Sequence, residues 1–306
     1  MRSIWLALVV FLVLVSGFGP SRAMAQPTSV RFPSAVVPPT PFAAARHHGV
    51  EPQVRPTVAP PVESSVDLNG RFYRPVPRPA GAATESGTPG SGPALVVLPG
   101  CSGRMEPAVE AQLAGRFTQG GIAVLVVDSL TPRLLHPQCL WDGGQADRVA
   151  DAIGALDYLA GLPDLDPERI AVLGFGRAGT AALSAVAGGG YPGSLSRHRF
   201  AAAIAFYPRC NATQGELAAP ALIVIGGLDE TSPVGWCRAL PHRAVAVGPG
   251  APEYLELQGA GHGFDLAGAA DPAGRGWGQP DPVYREDADT AADTAAIRFL
   301  RRGFAR

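Results

Sequence analysis

Short apolar runs alternate with amphipathic stretches through most of the chain. Ala94 to Leu98 is continuously apolar and stops at Pro99-Gly100, and Ala123 to Val127 and Ile170 to Leu173 are runs of the same kind. Phe200 to Phe206, Ala221 to Ile225 and Tyr254 to Leu257 follow. Between them Glu106 to Gln119 has helical spacing, and Gln145 to Leu162 sets Val149, Ile153, Leu156 and Leu159 on one face. Gly179 to Val186 predicts a helix rich in small residues. Ala288 to Phe304 predicts a closing helix that packs through Ala292, Ala295, Ile297, Phe299 and Leu300. Continuous apolar strands separated by helices predict an α/β class with a mostly parallel central sheet covered on both faces. No internal repeat occurs, so residues 65–306 read as one domain, with Gly70 to Arg74 a short strand at its start.

The N-terminus is of another kind. Arg2 precedes an unbroken apolar stretch from Ile4 to Val15, and Ala23-Met24-Ala25 supplies small residues before Gln26. This predicts a secretory signal peptide over residues 1–25, cleaved after Ala25, and a periplasmic or secreted protein. The apolar run is too short to span a bilayer and is broken by Ser16, Gly17, Gly19 and Pro20. Residues 26–64 are rich in Pro, Ala and Val without periodicity and predict an unstructured leader. A second flexible piece is expected from Pro79 to Pro93.

Charge narrows the partners. Without Arg2 and Arg22 the chain holds 23 basic residues against 26 acidic ones, a net of −3. That gives no electrostatic footprint for nucleic acid or for an anionic membrane surface. Every basic residue except histidine is arginine, which excludes a Schiff-base lysine, a Ser-Lys dyad and a Walker-type phosphate lysine. The four cysteines, Cys101, Cys139, Cys210 and Cys237, have no C-x-x-C spacing, so no metal site is expected of them. In an exported protein they suggest two disulfides with three pairings open.

One glycine-rich turn carries two incompatible meanings. In Ile170-Ala-Val-Leu-Gly174-Phe-Gly176-Arg-Ala-Gly179, the glycines spell G-x-G-x-x-G, a dinucleotide fingerprint. That reading needs an acidic residue about 20 positions later, and none occurs between Gly179 and Glu216. No cofactor is therefore expected. The other meaning is a strand-turn-helix nucleophile elbow, with Gly176 where the attacking side chain would stand. An elbow demands an acid after a later strand and a histidine near the end, in that order. Asp229, in Gly226-Gly-Leu-Asp229, and His262, in Gly259-Ala-Gly-His262-Gly-Phe-Asp265, satisfy both demands.

With these residues in place, the chain resembles the dienelactone hydrolase family of α/β-hydrolases over roughly residues 66–304. The matching segments include Leu98-Pro-Gly-Cys-Ser-Gly103, Gly121 to Ser129, Asp151 to Leu159, Ile170 to Gly176, Ala201 to Cys210, and the Asp229 and His262 loops. The resemblance implies an α/β-hydrolase fold and hydrolysis of esters or lactones, with Asp229 as the orienting acid and His262 as the general base. It also implies an oxyanion hole from the backbone N–H groups of Cys101 and Arg177. The chain departs from the family at Gly176, where the family carries Ser or Cys, and at Pro99, where many relatives carry a polar residue.

A weak or inactive hydrolase is thus expected, its partner a small ester, lactone or carboxylate. Two alternatives stay open: a binding protein that uses the same pocket, and a hydrolase active through another nucleophile or an activated water. On the expected fold Cys101 and Cys139, and Cys210 and Cys237, fall in loops at the same end of the sheet, and these are the expected disulfides.

Overall fold

The computed structural model describes residues 26–37, 65–75, 91–135, 147–188, 192–210, 216–243, 245–246, 252–266 and 283–305. The expected signal peptide, most of the expected leader, and Cys139 lie outside the described residues.

Among the described residues ten strands and six α-helices follow in order: β1 (Thr28–Pro33), β2 (Asp67–Tyr73), β3 (Gly92–Leu98), α1 (Pro107–Gln119), β4 (Ala123–Asp128), α2 (Arg148–Ala160), β5 (Leu165–Phe175), α3 (Arg177–Ala185), α4 (Pro192–Leu195), β6 (Ala202–Phe206), β7 (Glu216–Leu217), β8 (Ala221–Gly226), α5 (Val234–Arg243), β9 (Val245–Ala246), β10 (Glu253–Leu257) and α6 (Glu286–Phe304). Eight strands form one sheet in the order β1-β2-β4-β3-β5-β6-β8-β10, and β7 pairs with β9 apart from it. From β4 through β10 all pairings are parallel, while β1 and β2 pair antiparallel at one edge. The sheet is thus the mostly parallel one that the apolar runs predict. Its central strands are wholly buried, from Ala94 to Leu98 and from Ile170 to Phe175, because helices cover them on both sides.

The start of the expected leader needs correction. Thr28–Pro33 is an edge strand in register with Asp67–Tyr73, not an unstructured segment. Its alternation turns Phe32 inward, where the ring stacks on Tyr158 with centroids 5.4 Å apart. The backbone then continues as a tie: the Ser34 amide donates to the Val66 carbonyl and the Ala35 amide to the Ala150 carbonyl. Two inward apolar positions among prolines are too few to give a periodic signal.

Helix boundaries follow local chemistry. Asp147 caps α2 by accepting from the Val149 and Ala150 amides, which moves its start past Gln145. Pro107 opens α1, where a missing N–H costs nothing.

The chain leaves β3 for β4 on one side and enters β5, and then β6, on the other. Right-handed crossovers therefore put α1 on one face and α2 and α3 on the opposite face. The direction reverses between β3 and β5. Open parallel sheets bind ligands at such a reversal, at the carboxyl ends of the strands.

Candidate active site

Two loops leave neighbouring strands at that reversal. Cys101 lies three residues beyond the end of β3, and Gly176 lies directly after β5, at the N-terminus of α3. Arg177, the expected second amide donor, is the first residue of α3. Asp229 and His262 come from loops after β8 and β10, two and three strands away from β5. Parallel direction alone brings all of these to one edge of the sheet.

Gly176 turns the chain with φ 56° and ψ −119°. This backbone is open to glycine and strained for any residue with a Cβ. The turn is sharp because β5 and α3 almost touch: a Cβ on Gly174 would lie 2.1 Å from the Ala178 carbonyl oxygen. Close packing at Gly174 and the turn at Gly176 thus account for these two glycines. Space at Gly176 is ample. A Cβ there would sit 3.8 Å from Tyr207 Cε2 and 3.9 Å from His262 Nε2. A hydroxyl or thiol on such a carbon would face the imidazole.

The imidazole is oriented by Asp229. His262 Nδ1 and Asp229 Oδ2 are 2.9 Å apart. Asp229 Oδ1 accepts from the Thr231 and Ser232 amides at 2.8 and 2.7 Å. A carboxylate held this way only accepts, so in the neutral ring Nδ1 carries the proton and Nε2 the lone pair. The Asp229 side chain is fully buried, and that of His262 is 28% exposed. Backbone bonds splice the two loops, with the Gly227 amide donating to the Leu257 carbonyl and the Leu228 amide to the Ala260 carbonyl.

Tyr207 and Asp265 complete the setting, and sequence reasoning missed the role of both. Tyr207, directly after β6, has φ 40°, a conformation rare for an aromatic residue. Its ring lies 4.5 Å from that of His262, its hydroxyl donates to Asp265 Oδ1 at 2.7 Å, and its carbonyl accepts from the Ser232 hydroxyl at 2.9 Å. Burial pushes the Asp265 carboxyl up to about 7, against the opposing pull of the Tyr207 hydroxyl. Burial likewise raises the Tyr207 phenol well above its usual range. Behind this pair a cavity is lined by Met105, Gln112, Arg116, Asp265, Asp289 and Asp293, not by Gly176 or His262. The only sequence signal for Asp265 was its place in the His262 loop.

Arg148 was missed as well. Nearly buried at the start of α2, it donates from Nη1 to the Pro99 carbonyl at 3.1 Å, and its Nη2 has no partner among the described residues. Burial lowers this guanidinium to about 10, and the neighbouring charges of Arg177 and Arg133 add to that.

Other candidate nucleophiles are engaged elsewhere. The Ser102 hydroxyl donates to the Arg104 carbonyl, that of Ser184 to the Thr180 carbonyl, and Thr180 Oγ1 accepts from the Arg209 amide. Cys101 is disulfide-bonded, and its expected partner Cys139 lies outside the described residues. Cys210 and Cys237 are joined to each other. Among the described residues no group of three His, Cys, Asp or Glu side chains is arranged to hold a metal ion, and no helix is long and apolar enough to cross a membrane.

No family model matches the chain, and no curated protein matches it. Solved structures do. A dienelactone hydrolase from Anabaena variabilis is 16% identical, with 90% of this chain and 98% of that chain covered and a TM-score of 0.54. A dienelactone hydrolase-like promiscuous phosphotriesterase from metagenomic libraries is 19% identical, with 90% and 98% covered and a TM-score of 0.55. Esterase 2 of Thermogutta terrifontis is 20% identical, with 78% and 90% covered and a TM-score of 0.52. Likeness at this identity speaks to architecture, and the architecture of this chain is the α/β-hydrolase fold that dienelactone hydrolases and related esterases share.

Proposed function

We propose that the protein is an exported member of the ester and lactone hydrolase class, with Asp229 and His262 retained and Gly176 at the nucleophile position. One observation carries this reading: a side chain rooted at residue 176 would meet His262 Nε2 at 3.9 Å, while Nδ1 of the same ring is held by Asp229. The amides of Cys101 and Arg177 are the proposed oxyanion donors. Loss of the attacking group lowers triad turnover about 10⁶-fold, with a residual of about 10³–10⁴ over water. The parent is therefore expected to be weak or inactive on alkyl esters and lactones. The Cys210–Cys237 bond supports an oxidising compartment, in line with the apolar N-terminus.

A second reading is small-molecule binding. A base and oxyanion donors with nothing to attack would hold a carboxylate without consuming it.

The test is hydrolysis of an alkyl ester and lactone panel by the parent, Gly176→Ser and Gly176→Cys. Little turnover by the parent and a gain in either variant are expected. Triad-level turnover by the parent, abolished in His262→Ala, would overturn the proposal.

A further inference from the structure

We propose that His262 is itself the attacking group toward activated acyl compounds, and that it takes the acyl group on Nε2. This inference rests on the reading of Asp229 and His262 as the working pair of a hydrolase site.

Three features of the site point to it. The first is the electronic state of the ring. Asp229 fixes the proton on Nδ1, so Nε2 presents a lone pair. Asp229 is fully buried, its other oxygen filled by two amides, so it has no competing role.

The second is access. In a serine or cysteine hydrolase the nucleophile stands between the imidazole and the acyl carbon. Here residue 176 ends at its Cα. The three heavy atoms nearest to where a Cβ would stand are two of the Tyr207 ring, at 3.8 and 3.9 Å, and Nε2, at 3.9 Å. A planar carbonyl placed in that space would reach Nε2. The Tyr207 ring at 4.5 Å braces the imidazole from the side.

The third is the lack of a competitor among the described residues. The Ser102, Ser184 and Ser232 hydroxyls each donate to a backbone carbonyl, and Cys101 is in a disulfide. Imidazole is a good nucleophile toward acyl carbon and a recognised site of covalent intermediates.

The steps balance as follows. The Nε2 lone pair bonds to the acyl carbon, and the carbonyl π pair moves to oxygen. That oxygen re-forms the double bond, and the bond to the leaving group breaks with its electron pair. A phenolate or acyl-phosphate oxygen leaves from this intermediate more readily than imidazole does, whereas an alkoxide leaves less readily and the imidazole is expelled instead. The product is an acylimidazolium whose Nδ1 proton stays against the Asp229 carboxylate. Water then adds to the acyl carbon, the carbon–nitrogen bond breaks, and its pair returns to Nε2. The water's protons pass to solvent and to the leaving group. The ligand class is therefore aryl esters and acyl phosphates, and alkyl esters are left uncleaved.

The test mixes the intact protein with 4-nitrophenyl pivalate, whose hindered acyl group slows the second step. Phenolate release is followed, and the protein is weighed by native mass spectrometry at neutral pH within seconds. Expected are a burst of phenolate and one pivaloyl group per chain. Both are lost in His262→Gln, which retains a polar side chain; its fold is checked by circular dichroism. In Gly176→Ser the acyl group is expected on residue 176 instead.

Phenolate release without a protein adduct, an adduct that survives His262→Gln, or no release above buffer would each overturn the proposal. If Gly176→Ser gains alkyl-ester cleavage while the parent forms no adduct, this inference fails and the hydrolase reading stands. If neither occurs, both fail.

Discussion

The Tyr207 hydroxyl donates to Asp265 Oδ1 across 2.7 Å in the interior behind the candidate active site. The acceptor is a carboxyl pushed up to about 7, chiefly by burial, with Asp289 and Asp293 adding to the rise. Tyr207 in turn touches the His262 ring and holds the Asp229 loop through Ser232. A buried titrating carboxyl is thus linked to the proposed base through one side chain, that of Tyr207.

The sign of its effect on stability is fixed. The folded protein holds the Asp265 proton more tightly than the unfolded chain, whose ordinary value is 3.8. Its contribution is therefore complete below about pH 4 and is lost as pH rises through about 7. Asp265→Asn keeps an acceptor for Tyr207 and removes the titration. Relative to the parent it should gain stability between pH 4 and pH 8, on the order of 1–4 kcal/mol. Urea midpoints across that range measure it, and parallel profiles for parent and variant would refute it. Tyr207→Phe, which leaves the carboxyl without its donor, should cost about 1–3 kcal/mol near pH 8.

The two neighbouring glycines of the turn should respond differently to alanine. At Gly176 the added carbon meets nothing closer than 3.8 Å, so the cost is conformational, about 1–3 kcal/mol for φ 56°. At Gly174 the carbon would lie 2.1 Å from a backbone oxygen, and the turn itself must open. Gly174→Ala is expected to lose more stability than Gly176→Ala, or to fail to fold. Equal unfolding midpoints would show that the close approach of β5 and α3 is not maintained.

Reduction should weaken the edge of the site. Cys210 and Cys237 close a loop of sequence separation 27 and tie the segment after β6 to α5, with both sulfurs against the Pro208 carbonyl. A bond closing a loop of this size contributes typically 2–4 kcal/mol. A fall in melting temperature on reduction is expected, and Cys210→Ala/Cys237→Ala should reproduce the part of it that this bond supplies.

Most of the framework was legible because parallel strands covered on both faces have no polar side to disguise them. Ala94 to Leu98, Ala123 to Val127 and Ala221 to Ile225 read as unbroken apolar runs and are strands. The pairing of Asp229 with His262 was legible through chain order, since each follows a strand at the same sheet edge. β1 was not, because its inward Phe32 packs on Tyr158 of α2, more than a hundred residues further along the chain. Tyr207 was not legible either. Its left-handed backbone breaks the local rule for aromatics, and its partner Asp265 stands 58 residues away. Such contacts exist only in three dimensions, and no local pattern announces them.

Arg148 offers the last prediction, and it runs against the usual direction of core mutations. Its guanidinium is nearly buried, one amino group has no partner among the described residues, and burial draws its value down to about 10. A cation with a lowered value in the folded state is disfavoured there at every pH below that value, so at neutral pH the charge costs stability. Against this stand one bond to the Pro99 carbonyl and the attraction of Asp151, which is already paired with Arg133. Arg148→Met keeps the bulk and removes the charge. It is expected to be neutral or to raise stability at pH 7 by roughly 1–2 kcal/mol, as replacing buried charges by apolar groups often does. Loss of more than about 1 kcal/mol, the usual net worth of one hydrogen bond, would instead mean that the bond to Pro99 anchors the loop before Cys101. The urea midpoint of the variant at pH 7 separates the two outcomes.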